Sequence, residues 1–172
     1  MPPSTQTAEP TARRTRPVTR YATATDAAAL LSLMRQLARF EGYAETLAVT
    51  ERELLARGLA PTPTPQFTAI VAESPSGELC GYAVVHELAF TYDLRPTLIL
   101  KELFIADDRR GQGVGTAIME AVLAHARRAG CGRLRWDVLP DNSQAKAFYR
   151  RFGGRPNTAW ESWILPLEEP AR

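Results

Sequence analysis

The segment Arg110-Gly-Gln-Gly-Val-Gly-Thr116 sets glycines at alternate positions behind a cation. That pattern suits an anion. Glycines let backbone amides approach a diphosphate with no Cβ in the way, a helix opening at Val114 adds partial positive charge at its N-terminus, and Arg110 supplies a fixed cation. Glycine pairs also serve as plain structural turns, so these residues alone leave both readings open. One nucleotide motif is excluded, since no Gly-Lys-Ser/Thr follows, and a second is disfavoured, since the G-x-G-x-x-G spacing is absent. A second stretch, Asn142-Ser-Gln-Ala145-Lys-Ala-Phe148-Tyr149, ends in a phenol able to give up a proton. By itself Tyr149 reads rather as a half-buried helix residue with its hydroxyl satisfied locally.

These residues need elements to hold them. Val18 to Ala22 is short and β-prone, and after Asp26 the residues Leu30, Leu31, Met34, Leu37 and Ala38 fall on one helical face. Thr50-Glu51-Arg52-Glu53 has the capping-box form ahead of Leu54 and Leu55, and predicts a helix running out near Gly58 and the Pro61-Thr-Pro-Thr-Pro65 break. Segments 67–73, 81–90 and 97–106 are β-branched or aromatic runs, the first two joined by turn residues Ser74 to Gly77. From Val114 to Arg128 a stripe of Val114, Ile118, Met119, Val122, Leu123 and Ala126 predicts a helix, with Arg127 and Arg128 at its cation-favouring end. A strand over Leu134–Leu139, a helix over Ser143–Phe152 and a last strand over Trp160–Leu165 complete the order β-α-α-β-β-β-α-β-α-β. That order predicts an α/β (α+β) fold: a mixed, mostly antiparallel central sheet with helices on both faces and one β-α-β crossover.

The chain has 172 residues, 45% hydrophobic and 23% charged, enough for one good core. Residues 1–16, rich in Pro, Thr, Ala and Arg without an apolar period, are expected to be a disordered tail, leaving one domain over 17–172. Within that tail Arg13, Arg14 and Arg16 against Glu9 account for the whole formal charge of +2. The neutral body argues against nucleic-acid binding, which needs many phosphate contacts from a basic surface. The N-terminus has no apolar signal segment and no stretch reaches membrane-span length, so no membrane partner and a cytoplasmic location are expected. Cys80 and Cys131 have neither metal-ligand nor CxxC spacing, and are expected to be buried thiols. No metal site is expected.

Together, R-x-x-G-x-G at Arg110, Gly113 and Gly115 and N-x-x-A-x-x-F-Y at Asn142, Ala145, Phe148 and Tyr149 resemble the GNAT superfamily of acetyl-CoA-dependent N-acetyltransferases. The resemblance covers nearly everything after residue 17. A narrower resemblance, to the spermidine/spermine N-acetyltransferases and their diamine and thialysine relatives, rests on Arg20-Tyr-Ala-Thr-Ala-Thr-Asp26, Gln36-Leu-Ala-Arg-Phe-Glu41, Thr50-Glu-Arg-Glu-Leu-Leu55, Phe90-Thr-Tyr-Asp93, Phe148-Tyr-Arg-Arg151 and Trp160-Glu-Ser-Trp163.

The resemblance implies a GNAT-like acyl-CoA N-acyltransferase fold, acetyl-CoA as cosubstrate, a small-molecule primary amine as acceptor, and a homodimer. It implies that Leu103, Phe104 and Ile105 bind the pantetheine arm through their backbone. Arg110, Gly111, Gln112, Gly113, Val114, Gly115 and Thr116 would hold the pyrophosphate, with Asn142 and Ala145 helping to fix the cofactor. Phe40, Glu41, Asp137 and Glu161 become candidates for the acceptor side. An alkylammonium must lose a proton before it attacks a thioester, and the departing thiolate must gain one. Tyr149 is the candidate acid. Glu102 acting through water is the candidate base, with His86 as its rival and His125 expected on the surface.

The chain departs from the polyamine enzymes at one place. They have adjacent acids in a Leu-Glu-Asp-Phe-Phe-like segment, where this chain has Leu100-Lys101-Glu102-Leu103-Phe104. Since neighbouring strand residues face opposite sides, Lys101 is expected to replace the acid that meets the amine, with Glu102 turned away. An acetyltransferase of protein lysines or N-termini, and a catalytically silent CoA-binding module, are the competing readings.

Overall fold

The computed structural model describes residues 17–167, so the expected tail over 1–16 lies outside the described residues. The chain divides into two compact units between Trp136 and Asp137. The first contains β1 (Val18–Tyr21), α1 (Ala27–Glu41), α2 (Glu51–Leu54), β2 (Thr68–Glu73), β3 (Leu79–Leu88), β4 (Thr97–Ile105), α3 (Val114–Arg128) and β5 (Arg133–Arg135), and the second contains α4 (Ser143–Arg150).

The sheet runs β1-β2-β3-β4-β5 in chain order, antiparallel throughout except for the parallel β4–β5 pair that α3 connects. This is the mixed, mostly antiparallel sheet that the sequence predicts. Alternation along the strands sends Ala69, Val71, Tyr82, Val84 and Phe104 to one face, where they form a core with Leu30, Leu31, Met34 and Leu37 of α1. Each such side chain contributes on the order of 2 kcal/mol by leaving water. Helix α3 packs across β1 to β4. Gly81 permits this: a Cβ there would lie 2.8 Å from Ile105 Cδ1, 3.2 Å from Ile118 Cδ1 of α3 and 2.6 Å from the Phe104 carbonyl oxygen.

Helix α1 is entered through a polar knot. The Asp26 carboxylate accepts from the Thr23 backbone N–H (2.7 Å) and from both terminal nitrogens of Arg20 (2.8 and 2.9 Å), while Arg20 Nε donates to Glu73 on β2 (2.7 Å). The same guanidinium thereby ties β1, β2 and the helix start together. Helix α1 closes where Tyr43 N–H donates to the Ala38 carbonyl (2.9 Å), which leaves Phe40, Glu41 and Tyr43 at its C-terminal end.

Three expectations change. The helix after Thr50 has its predicted cap, Glu53 N–H donating to Thr50 Oγ1 at 3.2 Å, but after Leu54 it widens into a π turn over Leu55–Leu59. The strand expected over Leu134–Leu139 is reduced to Arg133–Arg135. The cause lies in β4, where Val84 pairs with Glu102 but Val85 with Leu100, so that Lys101 is an extra residue. A bulge bends and twists its strand, and the β4–β5 ladder stops before it, at Ile99 and Arg135. Finally, Trp160–Leu165 is not a strand: Trp160, Trp163 and Ile164 are exposed and no ladder reaches the segment. Strand propensity expresses fit to a half-buried pleated surface, and this segment has none.

The knot at Asp26 makes stability pH-dependent. Arg20, followed by the Thr23 hydrogen bonds, overcomes the opposing effect of burial and holds the Asp26 carboxyl down at about 2. A carboxyl held below its unfolded value adds stability above that value and loses it as pH falls through the folded one. Unfolding free energy measured in urea should therefore drop by about 2 kcal/mol from this group between roughly pH 5 and pH 2. In Asp26→Asn that part of the acid loss should vanish, in a variant already less stable than the parent at pH 7.

Candidate functional site

The glycine segment forms a turn between β4 and α3. After a 3-10 turn at Asp107–Arg109, Gly111 (φ 70°) and Gly113 (φ 85°) take left-handed backbone conformations that residues with a Cβ adopt only under strain. Gly113 is the N-cap of α3 and no side chain caps that helix start. A Cβ built on Gly111 or Gly113 would meet nothing within 4 Å. The opening amides of a helix lack partners within the helix and carry its partial positive charge. The turn is braced from beneath by Arg109, which pairs with Glu78 at 2.7 Å, and by Gln112 Nε2 donating to the Asp108 carbonyl at 2.8 Å.

Arg110 is held beside this opening. Its guanidinium pairs with Asp107 at 2.7 Å, donates to the Ile105 carbonyl at 3.3 Å, and lies 5.5 Å from the centre of the Phe40 ring and 5.8 Å from that of Phe104. The cation thus touches the end of α1 as well as the turn.

The bulge at Lys101 shapes the neighbouring surface in two ways. Beyond Ile99 no strand pairs with the outer edge of β4 among the described residues, so the edge of Leu103, Phe104 and Ile105 opposite β3 is open. It also separates Glu102 from Leu100, and Glu102 is not turned away as expected. Glu102 lies opposite Val84, on the α1 face, where the Tyr82 hydroxyl donates to its Oε2 at 2.7 Å. Glu102 shares that face with Phe104 by ordinary alternation, and the added residue sends Leu100 to the opposite one.

Glu41, Tyr43, Tyr82, Lys101 and Glu102 interact electrically on this face. The Glu41 carboxyl is raised above the ordinary carboxylate range, first by burial and then by the charge of Glu102, with Lys101 acting in the opposite sense. Tyr43 is pushed up to about 12 by burial, then by Glu102 and Glu41. Tyr82 is raised further, again by burial first and Glu102 second. The face is therefore acidic with one lysine set into it. Tyr43 and Tyr82 are the participants that sequence reasoning missed; the available signal was the doublet Lys101-Glu102 interrupting an apolar strand.

The other expected residues are placed elsewhere. His86 is exposed on β3 opposite Ile99. His125, expected on the surface, has a half-buried ring whose Nδ1 lies 2.9 Å from the Tyr21 hydroxyl, which also accepts from Arg128 at 2.7 Å. Asp137, Asn142, Ala145, Tyr149 and Glu161 belong to the C-terminal unit. There Asn142 Oδ1 caps α4 by accepting from the Ala145 N–H at 2.9 Å. The Tyr149 ring meets Phe148 edge-on at 5.3 Å, and Phe148 packs on Phe152 at 5.2 Å. Asp137 and Glu161 are exposed.

Comparison with known proteins adds the following. The model of the acetyltransferase (GNAT) family matches residues 30–154. The chain is similar to a thialysine N-epsilon-acetyltransferase of Bos taurus, 31% identical over 145 residues that cover 80% of this chain and 84% of the relative. It is also similar to an aminoglycoside N(6')-acetyltransferase type 1 of Stenotrophomonas maltophilia, 31% identical over 158 residues that cover 90% and 97%. Among solved structures it resembles an aminoglycoside acetyltransferase from an uncultured soil metagenomic sample, with a TM-score of 0.71 at 18% identity over 88% of this chain and 99% of that one.

The charges around Glu41 can be tested one at a time. Lys101→Met removes an opposing influence, so the Glu41 titration seen by carboxyl 13C NMR should move to higher pH, whereas Glu102→Gln should move it lower. Shifts of the same sign in both variants would contradict this arrangement.

Proposed function

The chain belongs to the acetyltransferase (GNAT) family, and from that premise we propose that it transfers an acetyl group from acetyl-CoA directly to the primary amine of a small molecule. The observation that carries this reading is the bulge at Lys101, beyond which an open β4 edge leads to the glycine turn and Glu102 joins Glu41 on the α1 face. The site's chemistry fits the cosubstrate: an uncapped helix start with open glycines suits a diphosphate, and an unpaired strand edge suits an amide-bearing arm. In this reading the amides of Gly111 to Thr116 take the pyrophosphate with Arg110 beside them, and the backbone of Leu103, Phe104 and Ile105 takes the pantetheine. Asn142 and Ala145 enter on the resemblance.

Acetyl-CoA supplies the activated acyl group. The protein's residues manage protons and charge. Glu102 accepts, through water, the proton that the acceptor ammonium must lose, and Tyr149 returns one to the departing thiolate. Phe40 and Glu41 form the acceptor side, with Asp137 and Glu161 as further acids. On the strength of the resemblance, the protein acts as a cytoplasmic homodimer.

Lys101 narrows the acceptor. Opposite unit charges about 4 Å apart interact by about 4 kcal/mol at an effective dielectric near 20, enough to decide between substrates. Carboxylates beside a lysine suit a molecule that carries an anionic group as well as its amine. The relatives whose names specify thialysine and aminoglycosides support a small acceptor.

A panel of amines, comprising polyamines, lysine analogues, aminoglycosides and peptides, scored by release of free CoA, tests the reading. Turnover of a lysine-like amino acid above that of spermidine is expected, and Lys101→Glu should raise kcat/KM for spermidine. Efficient spermidine acetylation by the parent, unimproved in Lys101→Glu, would reject the acceptor assignment. For the cosubstrate site, Gly113→Val should weaken CoA binding at least about 10-fold by calorimetry, while the left-handed backbone costs about 1–2 kcal/mol of stability. Unchanged CoA affinity in a folded variant would show that the turn does not hold it.

A further inference from the structure

Tyr82 is fully buried, with 0% of its surface exposed, and its ring lies 6.3 Å from that of Phe104 in the core beneath α1. A phenylalanine would fill the same space without placing a hydroxyl in an apolar layer. Burying a hydroxyl is costly unless it finds a partner. Here the partner is a single carboxylate, Glu102 Oε2 at 2.7 Å, at the one point where the strand breaks register. In an unbroken ladder Glu102 would share a face with both Leu100 and Phe104; the extra residue sends Leu100 to the other face and leaves Glu102 with Phe104 and Tyr82.

We infer that Tyr82 is a positioning residue for proton removal from the acceptor amine, orienting the Glu102 carboxylate and keeping it ionised. The inference rests on the proposed role of Glu102 as base. A glutamate on a strand has three side-chain torsions to fix, and a donor anchored on a rigid buried ring fixes the carboxylate without blocking its second oxygen. A hydrogen bond to the charged form also favours that form. The groups facing Glu102 are Tyr82 from β3, Glu41 from α1 and Tyr43 just beyond it, with Lys101 adjacent on β4 itself. Tyr82 is the neutral donor among them, at 2.7 Å from Glu102 Oε2. The phenol keeps its proton because burial and the adjoining carboxylate both raise its own titration far above neutrality.

The test uses Tyr82→Phe, Glu102→Gln and the double variant in the full chain, with the best acceptor from the amine panel. In Tyr82→Phe the acid limb of kcat/KM should move up by about one pH unit, kcat on the plateau should fall several-fold, and KM for acetyl-CoA should stay the same. Glu102→Gln should remove that limb, and adding Tyr82→Phe to it should change nothing further. If Glu102→Gln removes the limb while Tyr82→Phe leaves it in place, Tyr82 is a packing residue and the inference fails with the base assignment intact. If Glu102→Gln leaves rate and profile unchanged, the base assignment fails and takes the inference with it. Carboxyl 13C titration of Glu102 needs no turnover: an upward shift in Tyr82→Phe supports the inference, and an unchanged titration overturns it.

Discussion

Lys101 has no counterpart on β3, and both the sheet and the surface around the glycine turn depend on that surplus residue. A strand with one residue too many must bend, and the bend falls where β4 would otherwise hold a partner along its whole outer edge. The parallel pairing with β5 lasts only over Thr97–Ile99. The same step puts Leu100 on one face and Glu102, bonded to Tyr82, on the other. Sheet ladders exist to satisfy backbone amides and carbonyls, so a stretch of β4 left without a strand is a stretch offered to something else.

The helical and strand segments of the first unit were legible because their signals are local. The stripe from Val114 to Ala126, the capping pair at Thr50 and Glu53, and the glycine spacing after Arg110 each lie within a few turns of chain. The register shift at Lys101 depends on what sits opposite, and β3 is more than ten residues away in sequence. Alternation along β4 alone puts Leu100 and Glu102 on one face, where the structure separates them. The hydrogen bond from Tyr82 was hidden for the same reason, since a tyrosine in an apolar run resembles ordinary core until its partner is known. Trp160 to Leu165 fails in the opposite direction: its composition has every mark of a strand, yet nothing pairs with it.

The acidic face also shows how modest charges acquire influence. The charge of Glu102 helps raise the Glu41 carboxyl, and the two tyrosines respond to both. In open solvent such neighbours would be screened almost to nothing. Partial burial keeps their fields strong, so one lysine among them changes the character of the whole surface. Composition could not reveal this, because a chain whose charges nearly cancel still has local fields of either sign.

Gly81 places a limit on how this protein can change by descent. A methyl group there would run into the tips of Ile105 and Ile118, and a lineage could relieve those contacts by shortening either side chain. The contact with the Phe104 carbonyl oxygen, at 2.6 Å, admits no such remedy because that atom is main chain. Drift at the neighbouring isoleucines is therefore permitted while drift at residue 81 is not. Through that fixed position the gap between α3 and the sheet is inherited as a property of the backbone, and the glycine turn at the head of α3 is inherited with it.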